Sequence, residues 1–214
     1  MKRSIINQYH LSFKKRLLDV IVSIVSLIAL IPVMLIFCNL IKKKNSSSVF
    51  FTQKRVGKDG EIFELLKFRT MRPGAERQLN NLIHLNEVDG PVFKIKDDPR
   101  FVGIGKFLAR TGLDELPQLI NVIKGEMSLV GPRPLPVYEA KNLTKGQKVR
   151  EQVLPGMTSS WVISGAHSLS FAEWMKLDRI YVENASFMGD LLILIKTGEI
   201  VIKQILNQVM KKWS

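Results

Sequence analysis

From Val20 to Cys38 the chain carries no charged residue, and Ser23 and Ser26 are the markedly polar interruptions of an otherwise apolar run. About 20 such residues suffice to cross a bilayer as a helix. Nothing resembling an Ala-x-Ala cleavage site follows, which argues against a removable signal peptide. Two features complicate an ordinary span. Pro32 lies inside the run and would kink or break the helix, with the serines able to satisfy backbone groups freed at the bend. Lys14, Lys15 and Arg16 flank the near end and Lys42, Lys43 and Lys44 the far end. Basic residues on both sides favour keeping both ends on the cytoplasmic face. The pattern admits two arrangements over residues 1–44: a single span, or a helix-break-helix hairpin that re-enters one leaflet.

Beyond Lys44 the pattern changes. Val49 to Thr52 is β-prone, Gly57-Lys58-Asp59-Gly60 is a strong turn signal, and Ile62 to Phe68 follows, which predicts a β-hairpin. If extended, Lys67 and Arg69 lie two apart on one face; they are candidates for phosphate or headgroup contact, with plain solvated charge as the alternative. Residues 72–100 are polar and less regular, with a helix expected over Ala75 to Leu85 and a turn at Asp89-Gly90-Pro91. Asp97-Asp98-Pro99-Arg100 reads as a chain turn rather than a metal site.

Helical spacing returns at Leu116, Leu119, Ile120 and Ile123. Thr111 is a plausible N-cap, Pro117 falls in the first turn, and Gly125 is placed to stop the helix. On this reading Asp114 and Glu115 lie among the unpaired N–H groups of a helix start, which keeps a carboxylate ionised and attracts phosphate. Consecutive helical residues do not share a face, so the two acids have different jobs, unless both simply complement the helix dipole. A rigid basic turn, Gly131-Pro132-Arg133-Pro134, closes this stretch. Val137 to Arg150 is a basic amphipathic stretch with a helical pattern. Phe187 to Trp213 predicts one or two amphipathic helices, suited to the membrane interface or to packing on the core.

Charge sharpens this picture. The 214 residues include 32 Lys and Arg against 19 Asp and Glu, a formal net charge of +13, so an anionic partner is expected. The three tyrosines and three tryptophans do not interleave with a basic stripe, and no zinc-finger or RRM spacing is present, so nucleic acid is not the expected partner. Much of the charge flanks apolar runs, which points to an anionic membrane surface. Cys38 is the only cysteine, which excludes an intrachain disulfide and fits a cytosol-facing protein. There is no His/Cys cluster for zinc and no G-x-x-x-x-G-K-[ST] loop.

The run LDELPQLINVIKGEMSLVGPRP, Leu113 to Pro134, resembles the signature of the bacterial sugar transferase family, the monotopic phosphoglycosyl transferases. The likeness extends, less evenly, from about Phe13 to about Leu194, through FTQKRVG, KFRTM, the Pro155-Gly156-Met157-Thr158 turn and KLDRIYVEN with Asp178. VDGPVFKIKDDPRFVGIGKFLART resembles the form of that region found in exopolysaccharide and capsule enzymes. There are departures. Ser159 and Ser160 stand where a glycine is usual, and Ala166 and His167 where the family commonly has an arginine that would contact the nucleotide sugar. The family's re-entrant helix, with a proline at this place, favours the hairpin over the single span.

The resemblance implies an α+β, mostly helical, membrane-associated single domain. It would combine a re-entrant helix (1–44), a catalytic part with a small hairpin (45–186) and an amphipathic, interfacial C-terminal segment of the same fold (187–214). It implies transfer of a sugar-1-phosphate from a UDP-sugar to polyprenyl (undecaprenyl) phosphate, with release of UMP, at the cytoplasmic face of a bacterial inner membrane. Asp114 would be the covalent nucleophile and a metal ligand, and Glu115 would position metal or incoming groups. Arg133, Lys67 and Arg110, with Arg69 and Asp178, would bind substrate. Mg²⁺ suits this chemistry, since it takes one or two carboxylates plus substrate phosphates. The competing readings are another Mg²⁺-dependent lipid-phosphate enzyme, such as a phosphatase, and a non-catalytic membrane scaffold. The sugar and any homo-oligomer stay open.

Overall fold

The computed structural model describes residues 6–44, 48–165 and 169–210. A short 3₁₀ turn, Gln8–Leu11, leads into α1, Phe13–Lys44. At ~1.5 Å per residue this helix outreaches the ~30 Å hydrocarbon core of a bilayer. Among the described residues it is the one helix long and apolar enough to cross a membrane. It runs through Pro32 without an intervening loop, so the expected break is not an interruption of the helix. Pro32 removes the N–H that would bond one turn back and its ring crowds that turn, yet the turns on either side remain helical.

One face of α1 is left bare, with Ile21, Val25, Ile28, Leu35 and Ile36 all exposed. The opposite face meets the rest of the molecule near both ends. Arg16 donates to the carbonyls of Val122 and Ile123 at 2.7 and 2.8 Å. Phe37 and Ile41 pack with Phe68 and Leu108 in a buried cluster.

The hairpin forms as the turn signal requires. β1 (Phe50–Val56) pairs antiparallel with β2 (Ile62–Phe68), from Phe50 opposite Phe68 to Val56 opposite Ile62. Asp59 and Gly60 take positive φ at the turn, a conformation that Gly, and less readily Asp, tolerates. Leu65 and Phe68 lie on opposite faces of β2, and each is buried in its own cluster.

Residues 75–85 form two 3₁₀ segments, Ala75–Gln78 and Asn80–Leu85, rather than one helix. Asp98 is spent on a buried ion pair with Arg100 at 2.6 Å, in keeping with a structural turn there. α2 (Gly105–Thr111) lies so close to the strand exit that a Cβ on Gly105 would sit 1.9 Å from the Thr70 carbonyl oxygen. α3 (Gln118–Lys124) and β3 (Ser128–Val130) follow, and β3 pairs in parallel with β4 (Gly156–Thr158).

The expected helix over Val137 to Arg150 is reduced to α4 (Val137–Ala140) and a 3₁₀ stretch, Gln147–Gln152. After α5 (Ser160–Ile163), α6 (Phe171–Asn184) opens on a capping box, with Ser170 and Glu173 each bonding the other's backbone N–H. α7 (Phe187–Met210) is a single helix. Asp190 and Ile193 are buried, whereas Met188, Leu192, Ile195, Ile202 and Leu206 form an exposed apolar stripe. The main core lies between the hairpin, α3, β3 and the two long C-terminal helices, around Leu65, Val122, Met127, Val130, Tyr181 and Ile193. The architecture is thus mixed helix and sheet, with small two-stranded sheets and mostly helical remainder.

Candidate active site

Asp114 and Glu115 do not open a long helix. Thr111 is the last residue of α2, and its hydroxyl donates back to the Phe107 carbonyl at 2.8 Å. Gly112 ends that helix at φ 74°. The acids then fall on a separate 3₁₀ turn, Leu113–Glu115, and Pro117 stands just ahead of α3. The helix expected to start at a Thr111 cap therefore begins later, at α3, and α2 before it had no counterpart in the sequence reading. The stop at Gly125 is as expected: φ is 88° and its N–H reaches the carbonyls of Asn121 and Val122.

The tight turn aims both carboxylates at the end of β2. Lys67 Nζ lies 3.5 Å from Asp114 Oδ2 and 3.3 Å from Glu115 Oε1. Arg133 Nη1 approaches that same Glu115 oxygen at 3.3 Å. Two cations thus face two carboxylates. Asp114 is nearly buried, at 8% side-chain exposure, while Arg133 keeps 35%. The cluster is therefore open to solvent on the arginine side.

The two acids are driven apart in basicity. Burial pushes the Asp114 carboxyl up; Lys67 pulls against this, the Glu115 charge adds to the rise, and Arg133 opposes it more weakly. Glu115 is also penalised by burial, but Arg133 and Lys67 together outweigh that and hold it below its usual value. Glu115 in turn is the main influence that raises Arg133. A pair of carboxyls whose surroundings separate their acidities has the makings of two distinct roles.

Arg133 is held from behind. Prolines at 132, 134 and 136 remove backbone donors from this segment, and the carbonyls of residues 132–135 are taken by other parts of the chain. Gly156 N–H donates to Pro132 O at 2.9 Å and Val56 N–H to Leu135 O at 3.0 Å. Arg150 Nη2 donates to Arg133 O at 2.6 Å, and Arg55 Nη1 to Pro134 O at 2.8 Å. Both of these arginines are buried. Arg55 is pushed down to about 10, first by burial and then by the Arg133 charge.

Asp114, Glu115, Lys67 and Arg133 therefore converge as the sequence suggests, and three other candidates do not join them. Arg69 turns back on the hairpin, donating to Ser48 O at 2.8 Å and Phe50 O at 3.2 Å. Its guanidinium also lies over the ring of Phe51, the residue opposite Lys67, so what keeps Arg69 out of the site is its bonding to these carbonyls. Arg110 pairs with Asp97. Asp178 is buried on α6 against Arg150 at 2.9 Å.

Lys94, Arg55 and Arg150 escaped the sequence reading. Lys94 retains surface exposure, but enough protein surrounds its ammonium that burial, followed by repulsion from Arg133, pushes it down to about 8, against the pull of Glu115. It belongs to the same electrostatic cluster. Its KIK context offered no periodic signal. Ser159 is buried with its hydroxyl oxygen unpartnered, and Ser160 opens α5; Ala166 and His167 lie outside the described residues.

No group of three or more His, Cys, Asp or Glu close enough to hold a metal occurs among the described residues. The adjacent carboxylates of Asp114 and Glu115 fit a different donor set, the one in which Mg²⁺ takes one or two carboxylates and completes its shell with substrate phosphate and water.

A sequence model described as bacterial sugar transferase matches residues 10–204. The chain belongs to the bacterial sugar transferase family. The exopolysaccharide production protein ExoY of Sinorhizobium fredii is 40% identical over 187 residues, covering 86% of this chain and 83% of its own. The galactosyl transferase CpsE of Streptococcus agalactiae is 41% identical over 189 residues, 88% of this chain but 42% of its own. The undecaprenyl-phosphate galactose phosphotransferase of Salmonella typhimurium is 35% identical over 196 residues, 90% of this chain and 41% of its own. This sugar transferase therefore spans most of one relative and about two fifths of the other two.

Proposed function

We propose that this sugar transferase moves a sugar-1-phosphate from a UDP-sugar to undecaprenyl phosphate and releases UMP, as the first membrane step of polysaccharide assembly. The observation that carries the reading is the closure of Lys67 and Arg133 around the Asp114–Glu115 pair. Phosphoryl transfer needs a nucleophile in line and cations on the oxygens that gain charge, away from bulk water. The names of CpsE and of the Salmonella relative place galactose and undecaprenyl phosphate first among the compounds to test.

Asp114 is the better nucleophile of the two acids, because its surroundings make it the more basic. Its carboxylate oxygen attacks the sugar-bearing phosphorus, the phosphoanhydride bond breaks, and UMP leaves. An oxygen of undecaprenyl phosphate then attacks the same phosphorus, the aspartyl bond breaks, and the lipid diphosphate sugar departs. Arg133 binds phosphate oxygens from the open side, and Lys67 holds the two carboxylates in register. Mg²⁺, held by Asp114 with Glu115, would neutralise diphosphate charge when bound.

The proposed membrane arrangement draws on α1. Both of its ends meet one body, which supports a continuous helix bent at Pro32 that dips into one leaflet and returns, with the site at the cytoplasmic headgroups and the bare stripe of α7 in the interface. Cysteine-accessibility labelling that finds Phe13 and Lys44 on opposite sides would sink that topology.

The activity is tested by UMP release from detergent-solubilised protein, with Mg²⁺, undecaprenyl phosphate and a panel of UDP-sugars starting with UDP-galactose. Asp114→Asn serves as control. Release with one sugar, lost in the variant, supports the reading. Free phosphate in place of UMP would identify a phosphatase instead.

A further inference from the structure

We infer that Asp178 and Arg150 form a positioning pair that sets where the Arg133 guanidinium meets Glu115. Neither is a catalytic residue. One nitrogen, Arg150 Nη2, lies 2.9 Å from Asp178 Oδ2 and 2.6 Å from the Arg133 carbonyl oxygen. An anion on α6 is thereby linked through a single guanidinium to the backbone of the phosphate-binding turn. The Trp174 ring lies 5.4 Å beneath the same guanidinium, and side-chain exposure is 4% for Arg150 and 3% for Asp178.

Burial of this kind is a poor way to gain stability. Desolvation of two charges largely offsets their attraction, and an apolar pair of similar volume often serves as well. What an ion pair supplies and an apolar pair does not is a fixed direction. Here the Arg150 hydrogen bond is aimed at one carbonyl, and the Asp178 charge beside it holds the guanidinium in place. Pro132 and Pro134 lock the backbone on either side of Arg133, so the turn moves as a unit and a displaced carbonyl displaces the guanidinium. The contact that would suffer is the 3.3 Å approach of Arg133 Nη1 to Glu115 Oε1. Asp178 itself makes its ion pair with Arg150 and not with any member of the cluster at Asp114 and Glu115.

This inference rests on the proposed transfer reaction for its rate readout, so the experiment carries a second readout that does not. Asp178→Asn and Arg150→Lys are each made in the wild-type chain and in Arg133→Ala. Lysine keeps the charge of Arg150 but lacks the fork. Initial rates of UDP-sugar-dependent UMP release and deuterium uptake by residues 128–135 are measured on full-length protein in detergent. In the wild-type background each substitution is expected to cost about tenfold in kcat/KM, within the range seen for directly coupled residues. On Arg133→Ala it is expected to cost less than about twofold, because the side chain being positioned is gone. Uptake by residues 128–135 is expected to rise, with the rest of the chain unchanged.

Equal losses in both backgrounds would show a merely structural role and overturn the inference, as would unchanged rate together with unchanged uptake. Should Asp178→Asn fail to fold, Arg150→Lys answers the same question. If wild type releases no UMP with any donor, the transfer reading fails, and uptake alone decides whether the pair holds the turn.

Discussion

The Lys67 ammonium lies 3.3 Å from Glu115 Oε1, the oxygen that Arg133 also approaches. Lys67 leaves the last pairs of the hairpin, opposite Phe51, and reaches 48 residues along the chain to meet the acid. Replacing it by alanine leaves two adjacent carboxylates facing one cation. kcat/KM for UMP release is expected to fall by about 10²–10³, comparable to loss of one preorganised charge-stabilising donor. Steady-state kinetics on Lys67→Ala checks this, and a change under twofold would remove Lys67 from the machinery.

Acid should switch the enzyme off earlier than an ordinary aspartate would. Burial raises the Asp114 carboxyl, so the ionised form that the proposed mechanism needs is lost as pH falls through a value above the usual ~4. In Glu115→Gln the neighbouring negative charge is gone and both cations act on Asp114 alone. The acid limb of kcat/KM is expected to move to lower pH in that variant, whatever happens to the maximal rate. A limb that stays in place or moves up would show that Asp114 is not the group titrating.

Metal removal gives a third test. With EDTA in excess, UMP release should stop and return on adding Mg²⁺, because two carboxylates with substrate oxygens suit that ion. Glu115→Gln should raise the Mg²⁺ concentration needed for half-maximal rate. Full activity in EDTA would mean that Lys67 and Arg133 neutralise the diphosphate unaided.

A stability prediction concerns the foot of α1. Lys15 donates to Asp190 at 2.6 Å and to the Val130 carbonyl at 3.1 Å, with Asp19 at 3.5 Å. Lys15 and both acids are buried. Lys15→Met strands two carboxylates in the interior and is expected to cost about 3–5 kcal/mol, as for breaking one side of a buried pair. Thermal unfolding in detergent would show it, and an unchanged midpoint would refute it.

The hairpin could be read in the sequence because Gly57 to Gly60 is local chemistry: the positive φ at Asp59 and Gly60 leaves its mark in residue type. Gly125 is legible for the same reason. Gly112 carried an equal signal, but taking Thr111 as the N-cap placed Gly112 inside the expected helix and concealed the stop it makes for α2. Within the site, Asp114, Glu115, Lys67 and Arg133 were legible through their match to the family signature, while their distances were not. Arg55 lies inside the FTQKRVG match, but neither it nor Arg150 stood out as a site residue. Each is recognised by a carbonyl that donates nothing to sequence pattern, and the partner is fixed only by tertiary placement. The prolines at 132, 134 and 136 were the available hint, since carbonyls in a donor-poor segment must find donors elsewhere.

That donor-poor segment has a consequence for the order of folding. Its carbonyls are claimed by Arg55, 79 positions away, by Arg150, 17 positions away, and by the amides of Val56 and Gly156. A segment that cannot stabilise itself locally must wait for distant loops to close. The turn that carries Arg133 is therefore completed only when the hairpin and the 150s have both arrived. In pulsed hydrogen exchange during refolding, Val56 and Gly156 should gain protection together in the final phase; early protection of either would contradict this order. A chain that has not finished folding then carries Asp114 and Glu115 without Arg133 seated beside them.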